Sequence, residues 1–224
     1  MSAYDTAAVI RSYESHTNEV NQELDALKKL IVAAGEPLEG NSFYVHTTLQ
    51  LYPALFTKQV NLYWCGSQAT TRLCEIGFNG GHSALLFLMG RDTKPLEFTV
   101  FDIGHHAYVK PCLSYIQSRF PHSRFEYVEG DSTATMPAWL ERNPSSVGTY
   151  DVVHVDGGHS DHCVTNDMKN ADRLVRIGGL LIVDDTNHPP IARCAEAAVA
   201  SGSYEDLSIL KTEGYPHRIL RKLR

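Results

Sequence analysis

The sequence predicts an α/β fold: a doubly wound, mostly parallel sheet that ends in a reversed strand. Three observations predict it. From Thr71 onward short apolar runs alternate with helical stretches, as parallel strands joined by crossover helices require. Two of the runs stop at carboxylates, His154-Val-Asp156 and Leu180-Leu-Ile-Val-Asp184-Asp185, and the carboxyl edge of an open α/β sheet is where such folds keep their ligands. Near the end, Asp206–Leu210 and His217–Leu220 flank a turn with Gly214 and Pro216. A parallel crossover needs about a dozen residues or more, so this pair is an antiparallel hairpin.

Val20, Leu24, Leu27 and Ile31 recur at helical spacing, and Gly35 with Pro37 supplies a stop, so residues 6–33 read as one helix. Its single apolar stripe packs on the domain, or else offers the surface of a homodimer. Residues 36–70 hold Pro53 and several aromatics without a clean period, and read as a lid before the first strand. Within them Lys58-Gln-Val-Asn61-Leu reads as a helix surface with scattered polar residues, or as a segment closing over a ligand. Strands follow at Arg72–Ile76, Phe98–Asp102, Phe125–Val128, Asp151–Asp156 and Gly179–Val183, with helices at Ser83–Met89, Tyr108–Phe120 and Cys163–Val175. The chain divides into an extension of residues 1–66 packed on a domain of residues 67–224, together one structural unit.

At 224 residues, 43% hydrophobic and 21% charged, the chain suits one domain with a full core. A net charge of −6 supplies no basic field for nucleic acid or an anionic membrane. No signal peptide and no run of about 20 apolar residues is visible, so a soluble, cytoplasmic protein is expected. The five cysteines form no C-x-x-C pair, which points to reduced thiols and away from zinc. The basic tail from Lys211 to Arg224 reads as a solvated terminus.

Between the first strand and its helix runs Glu75-Ile-Gly77-Phe-Asn-Gly80-Gly81-His-Ser83. Glycines there let the backbone approach a ligand, and the N–H groups that start the helix face it. Counting from Gly77, Asn79 and His82 stand where a dinucleotide loop has its next glycines, and no phosphate-loop lysine follows. The acid at Glu75 suits a ligand carrying positive charge. Asp102 ends the next strand, where an acid accepts both ribose hydroxyls, and Gly130-Asp131-Ser132 closes the third within reach of an adenine edge.

Together with the Asp156 strand and the turn Arg176-Ile-Gly-Gly-Leu180, these motifs resemble the class I S-adenosylmethionine-dependent methyltransferases over about residues 70–221. The resemblance implies a Rossmann-like, seven-stranded sheet whose last strand is reversed. It also implies S-adenosylmethionine as cofactor, bound by Glu75, Gly77, Gly81, Ser83, Asp102, Asp131, Ser132 and Asp156. Gly77 and Gly81 would line its methionine part, Asp102 the ribose, and Asp131 with Ser132 the adenine.

Within that family, Asp156 with Asp184 and Asp185 is similar to the metal site of the catechol-type and macrocin-type O-methyltransferases. An aspartate at 185, where the catechol type has asparagine, leans toward the sugar-modifying type. Three carboxylates favour a hard cation such as Mg²⁺, which would also relieve their mutual repulsion. His159 stands where those enzymes carry the catalytic base, and its alternative is a hydrogen bond to substrate. His154, inside its strand, reads as a core histidine. The expected activity is O-methylation of a small-molecule hydroxyl on a phenol, sugar or polyketide-like acceptor. A non-catalytic domain that binds the cofactor or a partner is the other reading.

Overall fold

The computed structural model describes residues 5–45, 48–91, 94–207 and 216–224. Helices α1 (Thr6–Ser15) and α2 (Thr17–Ala34) lead to a small hairpin, β1 (Tyr44–Val45) with β2 (Gln50–Leu51), and to α3 (Phe56–Gln68). The alternation then runs β3 (Arg72–Ile76), α4 (His82–Gly90), β4 (Glu97–Asp102), α5 (Val109–Arg119), β5 (Arg124–Glu129), α6 (Ser132–Arg142), β6 (Tyr150–Val155), α7 (Asp161–Leu174) and β7 (Val175–Val183). It closes with α8 (Pro189–Ala200), β8 (Tyr204–Asp206) and β9 (Arg218–Lys222). The main sheet has the order β5-β4-β3-β6-β7-β9-β8. Its first five strands are parallel, while β9 runs antiparallel to both β7 and β8. The doubly wound sheet and its terminal reversed hairpin are therefore as the sequence predicts.

Strand periodicity of two splits the core into two layers. One joins Leu73, Val152 and Ile182 to the apolar faces of α1 to α5, and the other joins Cys74, Ile76, Val153 and Val183 to α6, α7 and α8. Both faces are covered, as a parallel sheet requires. No helix among the described residues is long and apolar enough to cross a membrane.

Several details differ from the sequence reading. The first helix is two, broken at His16 (φ −104°, ψ 1°), whose imidazole Nδ1 lies 2.9 Å from the Tyr63 hydroxyl and from Ser12 O. Its stripe of Val20, Leu24, Leu27 and Ile31 is buried within the chain's own core. Helices α6 and α8 are additional: Pro137 sits inside one, and Pro189-Pro190 opens the other at positions where the missing N–H costs nothing. Finally, the helix surface expected around Lys58 and Asn61 lies inside, since every residue of α3 from Lys58 to Gly66 is buried. This helix crosses α4 backbone to backbone at two glycines. A Cβ on Gly66 would lie 2.1 Å from the Phe87 carbonyl oxygen, and one on Gly90 would lie 2.0 Å from that of Tyr63. Of the expected strand Asp206–Leu210, Asp206 ends β8 and Leu207 follows it, while residues 208–210 lie outside the described residues.

The amino end of β3 is locked to β6 by Asp151. Its buried carboxylate accepts from the backbone N–H groups of Thr70, Thr71 and Arg72 at 2.9, 2.6 and 3.1 Å and from Arg176 Nε at 2.8 Å. Burial works against the charged form, but Arg176 and these backbone donors outweigh it and lower the carboxyl from 3.8 to about 2. A carboxyl lowered in the folded state stabilises the fold above its unfolded pKa, and that contribution disappears as pH falls through the folded value. Asp151→Asn should therefore cost about 2 kcal/mol in urea unfolding at pH 7. The gap to wild type should shrink as pH falls from about 4 toward 2; a gap independent of pH would show that the charge is not what matters.

Candidate functional site

Sheet register builds the centre of the site. In the parallel β3–β6 pair Glu75 stands opposite His154, and His154 in turn stands opposite Ile182 of β7. Period two then carries Asp184, just past β7, to the same face, the one covered by α3 and α4. Glu75 Oε1 accepts from Ser83 Oγ at 2.5 Å and lies 3.0 Å from His154 Nδ1. His154 Nε2 is 3.6 Å from Asp184 Oδ2, and Lys58 Nζ of α3 is 2.5 Å from that same oxygen.

Glu75 and His154 are 0% exposed, Asp184 1% and Lys58 5%. Charges this deep survive only when paired. Burial alone would pull His154 down, but Asp184 and Glu75 outweigh it and raise it to about 10. Burial likewise opposes the charge on Lys58, and Asp184 reverses this and holds it up. For Asp184, Lys58 and His154 overcome burial and keep the carboxyl well below its usual range. Asp156 goes the other way, pushed far up by burial and by the neighbouring Asp184.

The glycine turn lies directly above. Gly77 has φ +90°, and a Cβ there would stand 2.0 Å from the carbonyl oxygen of Asp156, so only glycine lets β3 and β6 end this close. Asp102 at the end of β4 is buried with its oxygens aligned by two backbone donors, Asn79 N–H at 2.8 Å and Gly104 N–H at 2.7 Å. Asn79 itself has φ +51° and donates its side-chain amide to the carbonyls of Glu39 and Gly40. The segment before β1 is thereby tied to the turn.

Two adjoining cavities open at this edge of the sheet. One, about 430 Å³, is lined by Asp102, His105, Asp131, Ser132 and Cys163 among others; the second, about 370 Å³, by Ser42, His82, Ser83, His159 and Asp185. Gly77, Asn79, Asp156 and Gly157 line both. In the second cavity His159 Nε2 is 2.9 Å from Asp185 Oδ2, and the His188 ring lies 4.4 Å from that of His159. Asp185 has φ +52°, a left-handed conformation uncommon outside glycine. It turns this carboxylate toward His159 while Asp184 stays with Lys58. The Asp185 contact, more than burial opposes it, raises His159.

Most residues predicted from sequence meet here. Gly77, Ser83, Asp102, Asp131, Ser132, Asp156, His159 and Asp185 line the two cavities. Asp131 also caps α6, accepting from Thr133 N–H at 2.9 Å. Glu75, Gly81 and Asp184 line neither cavity: Glu75 and Asp184 lie beneath the floor, and Gly81, at φ +77°, starts α4. Sequence reasoning placed His154 in the core, where it is, but missed that it bridges two carboxylates. It also read Lys58 as part of a helix surface or as closing over a ligand, and not as the buried partner of Asp184. A usable signal was present, because a lysine in a helix that is apolar on several faces has to find an anion.

The donor set can be tested against a divalent cation. Among the described residues, the group whose ligand atoms converge within 4.8 Å is His154, Asp156 and Asp184. Its two carboxylates are the hard oxygens that such an ion prefers, and Asp156, pushed up first by burial and then by the neighbouring Asp184, would regain its charge beside a cation. The oxygens of Asp156 and Asp184 fit; Asp185, expected as the third ligand, stands outside this converging group with its Oδ2 engaged by His159, and Asp184 Oδ2 is engaged by Lys58.

Residues 74–186 match the family model described as a methyltransferase domain. No curated protein matches the chain significantly. Among solved structures, the O-methyltransferase from Bacillus cereus in complex with S-adenosylhomocysteine (SAH) aligns with a TM-score of 0.64 at 18% identity, covering 91% of each chain. Cofactor-bound Rv0187 from MTB aligns with a TM-score of 0.65 at 18% identity, covering 91% of this chain and 90% of that one. TomG from Streptomyces achromogenes, an O-methyltransferase involved in tomaymycin synthesis and solved with S-adenosylmethionine, gives 0.56 at 18% identity over 75% and 80% of the two chains. At such identities the likeness is one of fold.

Gly77→Ala should destabilise the protein by about 2 kcal/mol or more, combining a left-handed alanine with a backbone clash. Urea unfolding measures it; a cost below about 0.5 kcal/mol, the level of a neutral surface change, would mean that β3 and β6 need not approach so closely.

Proposed function

This chain belongs to the methyltransferase domain family whose model spans its residues 74–186, and from that premise we propose that it methylates a hydroxyl of a small molecule with the help of a divalent cation. The observation that carries the reading is the meeting, at one sheet edge, of an Asp102 cavity with a cavity holding the His159–Asp185 pair. One half suits an adenosine, the other a proton transfer.

Asp102, its oxygens already oriented by Asn79 and Gly104, accepts from the two ribose hydroxyls. Asp131 and Ser132 would border the adenine, and Gly77, which lines both cavities, the methionine part. Glu75, held by Ser83 and His154, shapes the turn from below. S-adenosylmethionine, when bound, supplies an electrophilic methyl on its sulfonium. A cation held by the oxygens of Asp156, Asp184 and Asp185 would supply positive charge that lowers the pKa of the acceptor hydroxyl.

His159 does the work of the base. With Nε2–H donated to Asp185, the lone pair of Nδ1 is left to take the hydroxyl proton, and Asp185 stabilises the imidazolium that results. His159 would thereby leave the acceptor oxygen deprotonated, the form that can accept the methyl that S-adenosylmethionine would supply. The acceptor is read as a phenol, sugar or polyketide-like hydroxyl compound, because the cavity beside His159 carries the polar side chains of Asn41, Ser42 and His82, and the carboxylates that share its lining, Glu39, Asp156 and Asp185, disfavour an anionic acceptor.

Calorimetry should detect SAH binding that weakens at least about tenfold in Asp102→Ala, where charge-assisted bonds to the ribose are lost; a wild type that does not bind SAH would falsify the reading. His159→Ala should lower turnover on an accepted hydroxyl by about 10²–10⁴-fold while leaving SAH affinity unchanged. An unchanged rate would assign the histidine a role other than base. Chelation by EDTA should abolish turnover and Mg²⁺ restore it, whereas activity indifferent to chelator removes the cation from the reaction.

A further inference from the structure

We propose that Lys58 is a built-in counter-ion of Asp184 that competes with the divalent cation for this carboxylate and so sets how tightly the free protein holds the metal. The inference rests on the cation reading above and concerns a residue outside the expected site. Lys58 Nζ stands 2.5 Å from Asp184 Oδ2, with side-chain exposures of 6% and 0%. This is no surface lysine resting against an acid. The helix that carries it is buried from Lys58 to Gly66 and is fixed against α4 by the backbone contacts at Gly66 and Gly90. The ammonium is therefore delivered to this carboxylate by the packing of the core.

The charge inventory gives that placement a consequence. Lys58 and His154 face Glu75 and Asp184, two cations against two carboxylates, all buried. Asp156 adjoins this set, and its acidic atoms converge with those of His154 and Asp184. A divalent ion bound by Asp156 and Asp184 would bring two further positive charges beside two already present, and unlike exposed charges these are barely screened. It must displace the ammonium from Asp184 or bind weakly against it. Cation uptake is consequently favoured when a further negative charge arrives, as an acceptor oxyanion would, so that metal and deprotonated acceptor are held together rather than metal alone. Lys58 is a positioning residue in this scheme, acting through Asp184.

The test is direct metal binding by the full chain, read without turnover. Mn²⁺ titrations followed by electron paramagnetic resonance should show weak uptake by wild type, uptake at least about tenfold tighter in Lys58→Met, and none in Asp184→Asn. Lys58→Arg, which keeps the charge, should stay within a few-fold of wild type. If Lys58→Met binds Mn²⁺ no more tightly than wild type, the competition is wrong while the cation reading stands. If neither protein takes up Mn²⁺ although both bind SAH, the cation reading itself falls and this inference with it. Wild type alone provides a second readout should Lys58→Met fail to fold. The ammonium ¹H–¹⁵N signal of Lys58 should shift on saturation with Mg²⁺ while that of the exposed Lys110 does not; a Lys58 signal unmoved by saturating Mg²⁺ overturns the proposal.

Discussion

Everything at the carboxyl edge of this sheet depends on one buried chain of charge: Ser83 to Glu75, Glu75 to His154, His154 to Asp184, Asp184 to Lys58. It joins α4, β3, β6, the end of β7 and α3 beneath the two cavities, whose remaining walls come from β4, the β5–α6 turn and the segment before β1. A buried ion pair is weak evidence for net stability, because desolvation consumes much of the attraction, but removing one partner leaves an uncompensated charge and is costly. The arrangement is thus better understood as a device of specificity. It tolerates one register of β3 against β6 and one placement of α3.

That constraint also separates two neighbouring carboxylates into different tasks. Asp184 faces inward to Lys58, and Asp185, in a left-handed conformation, faces outward to His159. The adjacent pair thereby links the open side, where His159 lies, to the charge that holds the strands together. Gly77 extends the same logic to the cofactor side, since its missing Cβ lets the ends of β3 and β6 nearly touch beneath the place where a ligand would lie.

The legibility of the fold in the sequence follows from where its signals are local. Alternating apolar runs, the acids at Asp102, Asp156 and Asp184, and the short spacing of the last two strands are read one segment at a time, and they led to the right sheet. Pro137 and the Pro189-Pro190 pair disguised α6 and α8, because a proline reads as a breaker until its position in the first turn, or the tertiary packing around it, is known. The open-edge residues were equally legible, since a polar residue at a strand end has few other reasons to be there. Lys58 and the bridging role of His154 were not. Both depend on register and on the crossing of α3 over α4, which are long-range facts: nothing near Lys58 in the chain shows that Asp184 will stand 2.5 Å away.

Mutual pairing within this charge set is measured by a double-mutant cycle of Lys58→Met and Asp184→Asn on unfolding free energy. Each single change should cost about 3–5 kcal/mol, because it strands a buried charge, and the double mutant should recover a large part of that cost. Single effects that simply add in the double mutant would contradict it.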